Sequence, residues 1–224
     1  MENRINPYMP RPYKLLSLKK ETAIDWTFTF ECHEPLIGGQ FMELSLPGVG
    51  EAPISISDFD DRSMDMTIRQ VGKVTDQLFR LTAGDTVFMR GPYGNGFDLG
   101  LFNHKKVLVV AGGTGLAPIK NTIQKLSQGG CEELELLVGF KTKEDRLFVD
   151  QLEAWSKAFR VRVTIDKEEE GWTGLTGLIP SHLATCQLDR VDERTAIVVG
   201  PPIMMKFTTL ELLRQGFKQE NIYV

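Results

Sequence analysis

The 224-residue chain is poor in the residues that build metal centres and covalent frameworks, with three cysteines and three histidines in all. Cys32, Cys131 and Cys186 lie far apart and form no CxxC pair, so the sequence predicts no zinc site, disulfide framework or iron–sulfur cluster within it. Each cysteine reads as a small buried hydrophobe. Long apolar runs are missing too. The run from Val107 to Ala111 is far shorter than the roughly 18 residues a spanning helix needs. The opening Met1-Glu2-Asn3-Arg4 lacks the apolar core of a secretion signal, and a soluble, cytoplasmic protein is expected. A basic excess is also absent. Lys and Arg number 26 against 30 Asp and Glu, for a net charge of −4, which argues against a nucleic-acid partner.

What is present describes a folded protein: 42% apolar and 25% charged residues are ordinary for globular domains. The length suits one large domain or two small ones, and the pattern changes near residue 100. Before it, short strand-like stretches recur at Tyr13–Lys19, Asp25–Glu31, Gln40–Leu46, Ile54–Ser57, Met64–Arg69 and Thr86–Arg90. Gly38-Gly39, Pro47-Gly48, Asp60-Asp61 and Ala83-Gly84-Asp85 separate them as turns. Six short strands predict a small antiparallel barrel or sandwich, with one helical turn at Asp76–Leu81 capped by Thr75. After residue 104, strands and helices alternate. Strands are expected at Lys106–Ala111, Glu133–Gly139, Phe159–Asp166, Ala196–Gly200 and Asn221–Val224. Helices are expected at Pro118–Ser127, Asp145–Lys157, Leu178–His182 and Pro202–Gln215. This is an α/β layout with a parallel sheet, and the domains are read as 1–100 and 101–224. Asp166-Lys167-Glu168-Glu169-Glu170 reads as a solvated loop.

The densest chemical signal is Val107-Leu108-Val109-Val110-Ala111-Gly112-Gly113-Thr114-Gly115-Leu116-Ala117-Pro118. A buried strand runs into glycines, and Pro118 stands where a helix starts. Glycines let a pyrophosphate approach without meeting a Cβ, and the helix N-terminus offers it free N–H groups. The spacing matches neither GxGxxG nor GxxxxGK. A second loop, Gly200-Pro201-Pro202-Ile203-Met204-Met205, also follows a strand, and two such loops make a ligand crevice. In the first half, Ala52-Pro53-Ile54-Ser55-Ile56-Ser57 is a proline-led strand and Gly91-Pro92-Tyr93-Gly94-Asn95-Gly96-Phe97 is a dense turn. Thr67-Ile68-Arg69-Gln70-Val71-Gly72-Lys73-Val74-Thr75 joins a strand to a possible anion-binding helix start.

In this order the segments resemble the ferredoxin–NADP⁺ reductase superfamily, over roughly residues 10–224. Within it the sequence is most similar to the B subunits of anaerobic sulfite reductase. Asn6-Pro7-Tyr8-Met9-Pro10, Glu51-Ala52-Pro53-Ile54-Ser55, the Gly91–Phe97 loop and Gly200-Pro201-Pro202-Ile203-Met204-Met205-Lys206-Phe207 carry that similarity. Electron-transfer subunits of dihydroorotate dehydrogenase and of some hydrogenases are close relatives. The resemblance implies a flavin-binding β-barrel followed by a pyridine-nucleotide domain, with FAD and NADH or NADPH as cofactors. It places the Ser55 hydroxyl at the reactive edge of the flavin as the catalytic-site residue. Ala52, Pro53 and Ile54 stand in the family's Arg-x-Tyr-Ser motif, where an arginine and a tyrosine are replaced by Ala52 and Ile54. Thr67, Ile68 and Arg69 match the strand along the flavin, with Arg69 supplying positive charge. Gly72, Val74 and Thr75 match the pyrophosphate turn. Gly112, Gly113, Thr114, Gly115 and Pro118 match the nicotinamide-nucleotide loop, and Gly200, Pro201, Pro202 and Met204 match the loop closing over the nicotinamide.

By the same resemblance, hydride passes from nicotinamide to flavin. Single electrons then go to a ferredoxin-like iron–sulfur subunit that feeds a sirohaem subunit reducing sulfite. In these relatives a cysteine cluster follows the final strand. The iron–sulfur cluster is therefore expected only in a C-terminal segment beyond Val224. Lys141, Lys143 and Arg146 are interleaved with Glu144 and Asp145, which favours NADH over NADPH. Other readings stay open: an electron-transfer subunit of dihydroorotate dehydrogenase or hydrogenase, a free flavin reductase, or a non-catalytic nucleotide-binding docking subunit. No metal site and no acid–base side chain are expected.

Overall fold

The computed structural model describes residues 6, 8–186 and 190–224. The opening four residues read for a secretion signal, and Pro7 of the Asn6–Pro10 segment, lie outside that set. The chain divides between Phe97 and Asp98 into two compact units.

The first unit is an antiparallel sheet of β1 (Arg11–Lys20), β2 (Asp25–Glu31), β3 (Phe41–Leu46), β4 (Gly50–Ser55), β5 (Asp58–Phe59), β6 (Ser63–Arg69) and β7 (Thr86–Tyr93), in the order β4-β3-β7-β1-β2-β6-β5. Five of these match the expected strands, while β4 runs over Gly50–Ser55 instead of the expected Ile54–Ser57 because it pairs along the whole of β3 after the turn at residues 47–49. β5 is two residues long and pairs only with β6. Alternation sorts the side chains: Phe28 and Phe30 of β2 are fully buried, and they meet Met42, Leu44, Met64, Met66, Ile68 and Met89 in one core. Thioethers are suited to filling the irregular interior of a strongly curved sheet. β4 lies at the sheet edge, where Pro53 withholds no needed ladder donor. Helix α1 (Lys73–Leu78) starts earlier than the sequence suggests. Gly72 is its N-cap, and Thr75 stands inside the helix as its third residue.

The second unit holds a parallel sheet of β8 (Lys106–Gly112), β9 (Glu133–Phe140), β10 (Arg160–Ile165), β11 (Leu175–Thr176), β12 (Thr195–Val199) and β13 (Ile222–Tyr223), in the order β11-β10-β9-β8-β12-β13. Helices α2 (Leu116–Lys125), α3 (Val149–Ser156), α4 (Ile179–His182) and α5 (Pro202–Arg214) connect it. β8 and β9 are buried along nearly their whole length, as central parallel strands covered on both faces must be. Helix α3 begins four residues later than expected. Thr142 and Asp145 close a hydrogen-bonded turn before it, and Phe148 takes a left-handed conformation at φ 55°. Charges the sheet partly buries are paired near the strands' amino ends: Arg194 with Glu133 at 3.0 Å and Arg162 with Glu135 at 2.9 Å. Among the described residues, no helix is long and apolar enough to cross a membrane.

Candidate functional site

The strand order of the second unit dictates where a ligand is received. From β8 the chain moves outward through β9, β10 and β11, then returns to lay β12 on the other side of β8. The connections leaving β8 and β12 therefore diverge at a switch point, the crevice that open α/β sheets use for ligands. Both are the glycine loops singled out in the sequence. After β8, Gly113–Gly115 form one 3₁₀ turn that runs straight into α2. No side chain caps either start, and the Leu116 N–H turns back to the Gly113 carbonyl, so the turn is held by backbone alone. Pro118 stands in the first turn of α2, where its missing N–H costs nothing.

Contacts within the two loops explain their composition. A Cβ on Gly115 would stand 2.6 Å from the Val199 carbonyl oxygen and 2.7 Å from Gly200 Cα. A Cβ on Gly112 would meet Met204 Sδ at 2.5 Å, and one on Gly200 would meet Met204 Cε at 2.9 Å. The loops are thus seated against each other with Met204 wedged between them. Pro201 closes the corner, its Cδ 3.2 Å from the same Gly112 position, and Pro202 opens α5. Gly113 differs. At φ 53° it has open space around its Cβ position, so its glycine serves a left-handed turn. The Thr114 hydroxyl makes no hydrogen bond among the described residues. A helix start that no side chain caps, an unengaged hydroxyl and a surface without Cβ atoms fit a dinucleotide pyrophosphate.

In the first unit the expected residues divide into free and committed. Along β4, Ala52 and Ile54 face one side of the strand and Pro53 and Ser55 the other. Ile54 packs against the core beside Val74 of α1, and a Cβ on Gly50 would lie 3.3 Å from Val74 Cγ2. Ser55 pairs with Phe41, which in turn pairs with Tyr93; the two rings are 5.7 Å apart. The Ser55 hydroxyl has no hydrogen-bond partner among the described residues. An unengaged hydroxyl therefore sits beside an aromatic pair. Phe41 and Tyr93 are coupled through strand register, which no local sequence pattern shows.

Thr67, Ile68, Arg69 and Thr75 are committed elsewhere. Thr67 donates to Ser57 Oγ at 3.1 Å and shares a 2.9 Å hydrogen bond with Thr27, and Ile68 is in the core. These two can offer a ligand only their backbone. Arg69 forms a two-pronged pair with the fully buried Asp25, at 2.8 and 2.9 Å, so its charge is already matched. The Thr75 hydroxyl accepts from Val71 and Gly72 N–H at 2.9 and 3.0 Å and donates to the Gly72 carbonyl. It shapes the turn. The exposed cation at this turn is Lys73, which the sequence reading passed over. Together with the amides of the first turn of α1 and the apolar Ile54 face, it fits a flavin nucleotide.

The cysteines are small apolar fillers rather than site groups, with Cys32 and Cys186 in the two cores. Burial pushes the Cys131 thiol up to about 11 and Cys186 up to about 12, and raises Cys32 as well. Among the described residues, no three His, Cys, Asp or Glu side chains gather as metal ligands.

Comparison with known proteins follows this geometry. Residues 109–209 match the family described as "Oxidoreductase NAD-binding domain". The sulfhydrogenase 1 gamma subunit of Pyrococcus furiosus is 31% identical over 98% of this chain and 80% of its own length. A probable dihydroorotate dehydrogenase B (NAD⁺) electron-transfer subunit of Methanocaldococcus jannaschii is 36% identical, over 84% of this chain and 65% of that protein. Among solved structures, an NADH-dependent reduced ferredoxin–NADP oxidoreductase studied for flavin-based electron bifurcation superposes with a TM-score of 0.76. That match has 28% identity and covers 92% of this chain and 73% of the other. An antiparallel sheet unit, a parallel-sheet unit with its strand-switch glycine loops, and these matches agree: the chain belongs to the ferredoxin–NADP⁺ reductase-like family of NAD(P)H-dependent flavoprotein oxidoreductases.

Proposed function

We propose that the chain is the electron-transfer subunit of a multi-subunit oxidoreductase, one that oxidises NADH on FAD and passes electrons singly to an iron–sulfur partner. The observation that carries this reading is the interlocked pair of glycine loops at the β8–β12 switch point, where no side chain caps the helix start. The loops after β8 and β12 hold the dinucleotide: Gly112, Gly113 and Gly115 admit the pyrophosphate, and Thr114 has a hydroxyl to offer it. Gly200, Pro201, Pro202 and Met204 form the rigid wall that orients the nicotinamide. In the first unit, Gly72, Lys73, Val74 and Thr75 provide the amide turn and the positive charge for the flavin pyrophosphate. Ala52 and Ile54 provide an apolar wall, and the Ser55 hydroxyl meets the polar edge of the ring. Bound there, flavin supplies a hydride acceptor that releases electrons one at a time. The protein contributes position, exclusion of water and a hydrogen bond.

The relatives named as a sulfhydrogenase gamma subunit and a dihydroorotate dehydrogenase electron-transfer subunit favour an assembly of that kind. A sirohaem sulfite reductase partner rests on the short motifs at Asn6–Pro10, Glu51–Ser55 and Gly200–Phe207 alone. The test is the visible spectrum of the purified chain with FAD, before and after anaerobic NADH. Bound-flavin absorbance that bleaches with NADH is the expected result. A chain that binds nucleotide but never flavin is instead a docking subunit. Fast turnover of freely exchanging flavin, indifferent to any protein acceptor, marks a flavin reductase.

A further inference from the structure

In a doubly wound sheet, the ribose of a bound dinucleotide lies past the carboxyl end of the strand beside the first, where an acidic group selects the 2′-hydroxyl and basic groups accept a 2′-phosphate. Here that strand is β9, and its exit carries Lys141, Lys143 and Arg146. Three cations in six residues look prepared for a phosphate. The structure occupies two of them. The segment after β10, residues 166–174, is fastened across this exit rather than solvated throughout. The Asp166 N–H donates to the Phe140 carbonyl at 3.1 Å. Glu169 Oε2 accepts the Lys143 backbone N–H at 3.2 Å, and Lys143 Nζ donates to the Glu170 carbonyl at 2.7 Å. Lys143 Nζ also lies 3.8 Å from the Glu144 carboxylate. Arg146 Nε donates to the Lys143 carbonyl at 2.7 Å, and its guanidinium lies over the Trp172 ring at 5.1 Å. Trp172 is itself held: its N–H bonds the Glu169 carbonyl at 3.1 Å and its Nε1–H bonds the Leu175 carbonyl at 2.8 Å.

We propose that this strap, with Glu169 as its fastening, sets the preference for NADH by engaging Lys143 and Arg146 and lining the ribose end with carboxylates. A 2′-hydroxyl leaves these contacts undisturbed. A 2′-phosphate must break them and approach Glu169 with its own charge. Lys141 is exposed and keeps its charge, but alone. The inference rests on the NADH-oxidising reading above, so its test includes a measurement that needs no electron transfer. Holoprotein is assayed with NADH and NADPH against ferricyanide, and calorimetry measures 5′-AMP and 2′,5′-ADP on the same chain. Wild type is expected to favour NADH and to bind 2′,5′-ADP no tighter than 5′-AMP. Glu169→Ala is expected to raise the NADPH-to-NADH ratio of kcat/KM, and the relative affinity for 2′,5′-ADP, about tenfold, the scale of one close charge contact. Glu169→Gln, which removes the charge but keeps an oxygen for the Lys143 N–H, shifts both part of the way and guards against a misfolded alanine variant. Glu168→Gln loses the same charge from an exposed side chain with no hydrogen bond among the described residues, and should move neither by more than about twofold. A wild type that prefers NADPH overturns the proposal, as does a Glu169→Ala shift no larger than that of Glu168→Gln. If neither coenzyme is oxidised, the functional reading fails, while the 2′,5′-ADP and 5′-AMP affinities still decide the strap.

Discussion

Two turns in this chain look alike in sequence, each a strand running through glycine into a helix, yet they are built on opposite plans. In the turn from β6 to α1, side chains do the shaping. The Thr75 hydroxyl ties down Val71 and Gly72, and Arg69 is anchored on Asp25. In the turn from β8 to α2, no side chain holds the backbone, and shape comes from the close approach of Gly115 to Val199 and Gly200. A turn held by side chains tolerates local backbone change and loses stability when its hydrogen bonds go. A turn held by backbone contact tolerates no added atom at the point of contact, though it needs no side-chain cap. The difference teaches that a glycine-rich turn and a hydroxyl-rich turn reach a similar strand-to-helix path with different sensitivities to substitution.

Substitutions sharpen this contrast. The largest effect is expected from Gly115→Ala, whose Cβ meets backbone that cannot swing aside. It should cost about 3 kcal/mol in thermal or denaturant unfolding and abolish NADH-dependent bleaching of the flavin. Next comes Arg69→Met, which leaves the buried Asp25 carboxylate without its two-pronged partner. Discounted for the partial exposure of the arginine, a loss of about 2 kcal/mol is expected, with FAD affinity changed less than threefold by fluorescence titration. A collapse of FAD affinity at unchanged stability would return Arg69 to the ligand. Thr75→Ala removes two accepted hydrogen bonds and should cost about 1 kcal/mol, with weaker FAD binding as the turn loosens. Gly113→Ala is the smallest. With open space around it, only the left-handed backbone objects, and a loss of about 1 kcal/mol is expected in the same melt. If Gly113→Ala proved as damaging as Gly115→Ala, the division between contact-held and conformation-held glycines would break down.

The sequence revealed most where a pattern is local. The alternation in Asp25–Phe30 shows as β2, and the apolar run at Val107 to Ala111 shows as a central parallel strand. The glycine loops were visible as well, because their chemistry is written in adjacent residues. Features that depend on distant partners were not visible. β5 and β11 are two-residue strands that exist only because β6 and β10 offer them an edge. Arg69 looked available because Asp25 lies 44 residues away, across the β2–β6 pairing. The start of α3 moved because a threonine–aspartate turn competes for Asp145, a contest between neighbours that helical periodicity does not register. The acidic stretch Asp166–Glu170 read as plain solvated loop. Its fastening to Lys143 crosses from one strand exit to another.

Met204 carries a consequence for how this sequence can drift. Its thioether fills the space that a side chain at Gly112 or Gly200 would need, while Gly115 gives way to Val199 and Gly200. These positions form one volume shared among four residues from two segments nearly ninety apart in the chain. Exchanges there should tend to be inherited together: a side chain at 112 or 200 requires the Met204 thioether to swing aside or be replaced by something smaller. A saturation library over Gly112, Gly115, Gly200 and Met204, sorted for folded protein, should return correlated pairs far more often than independent substitutions.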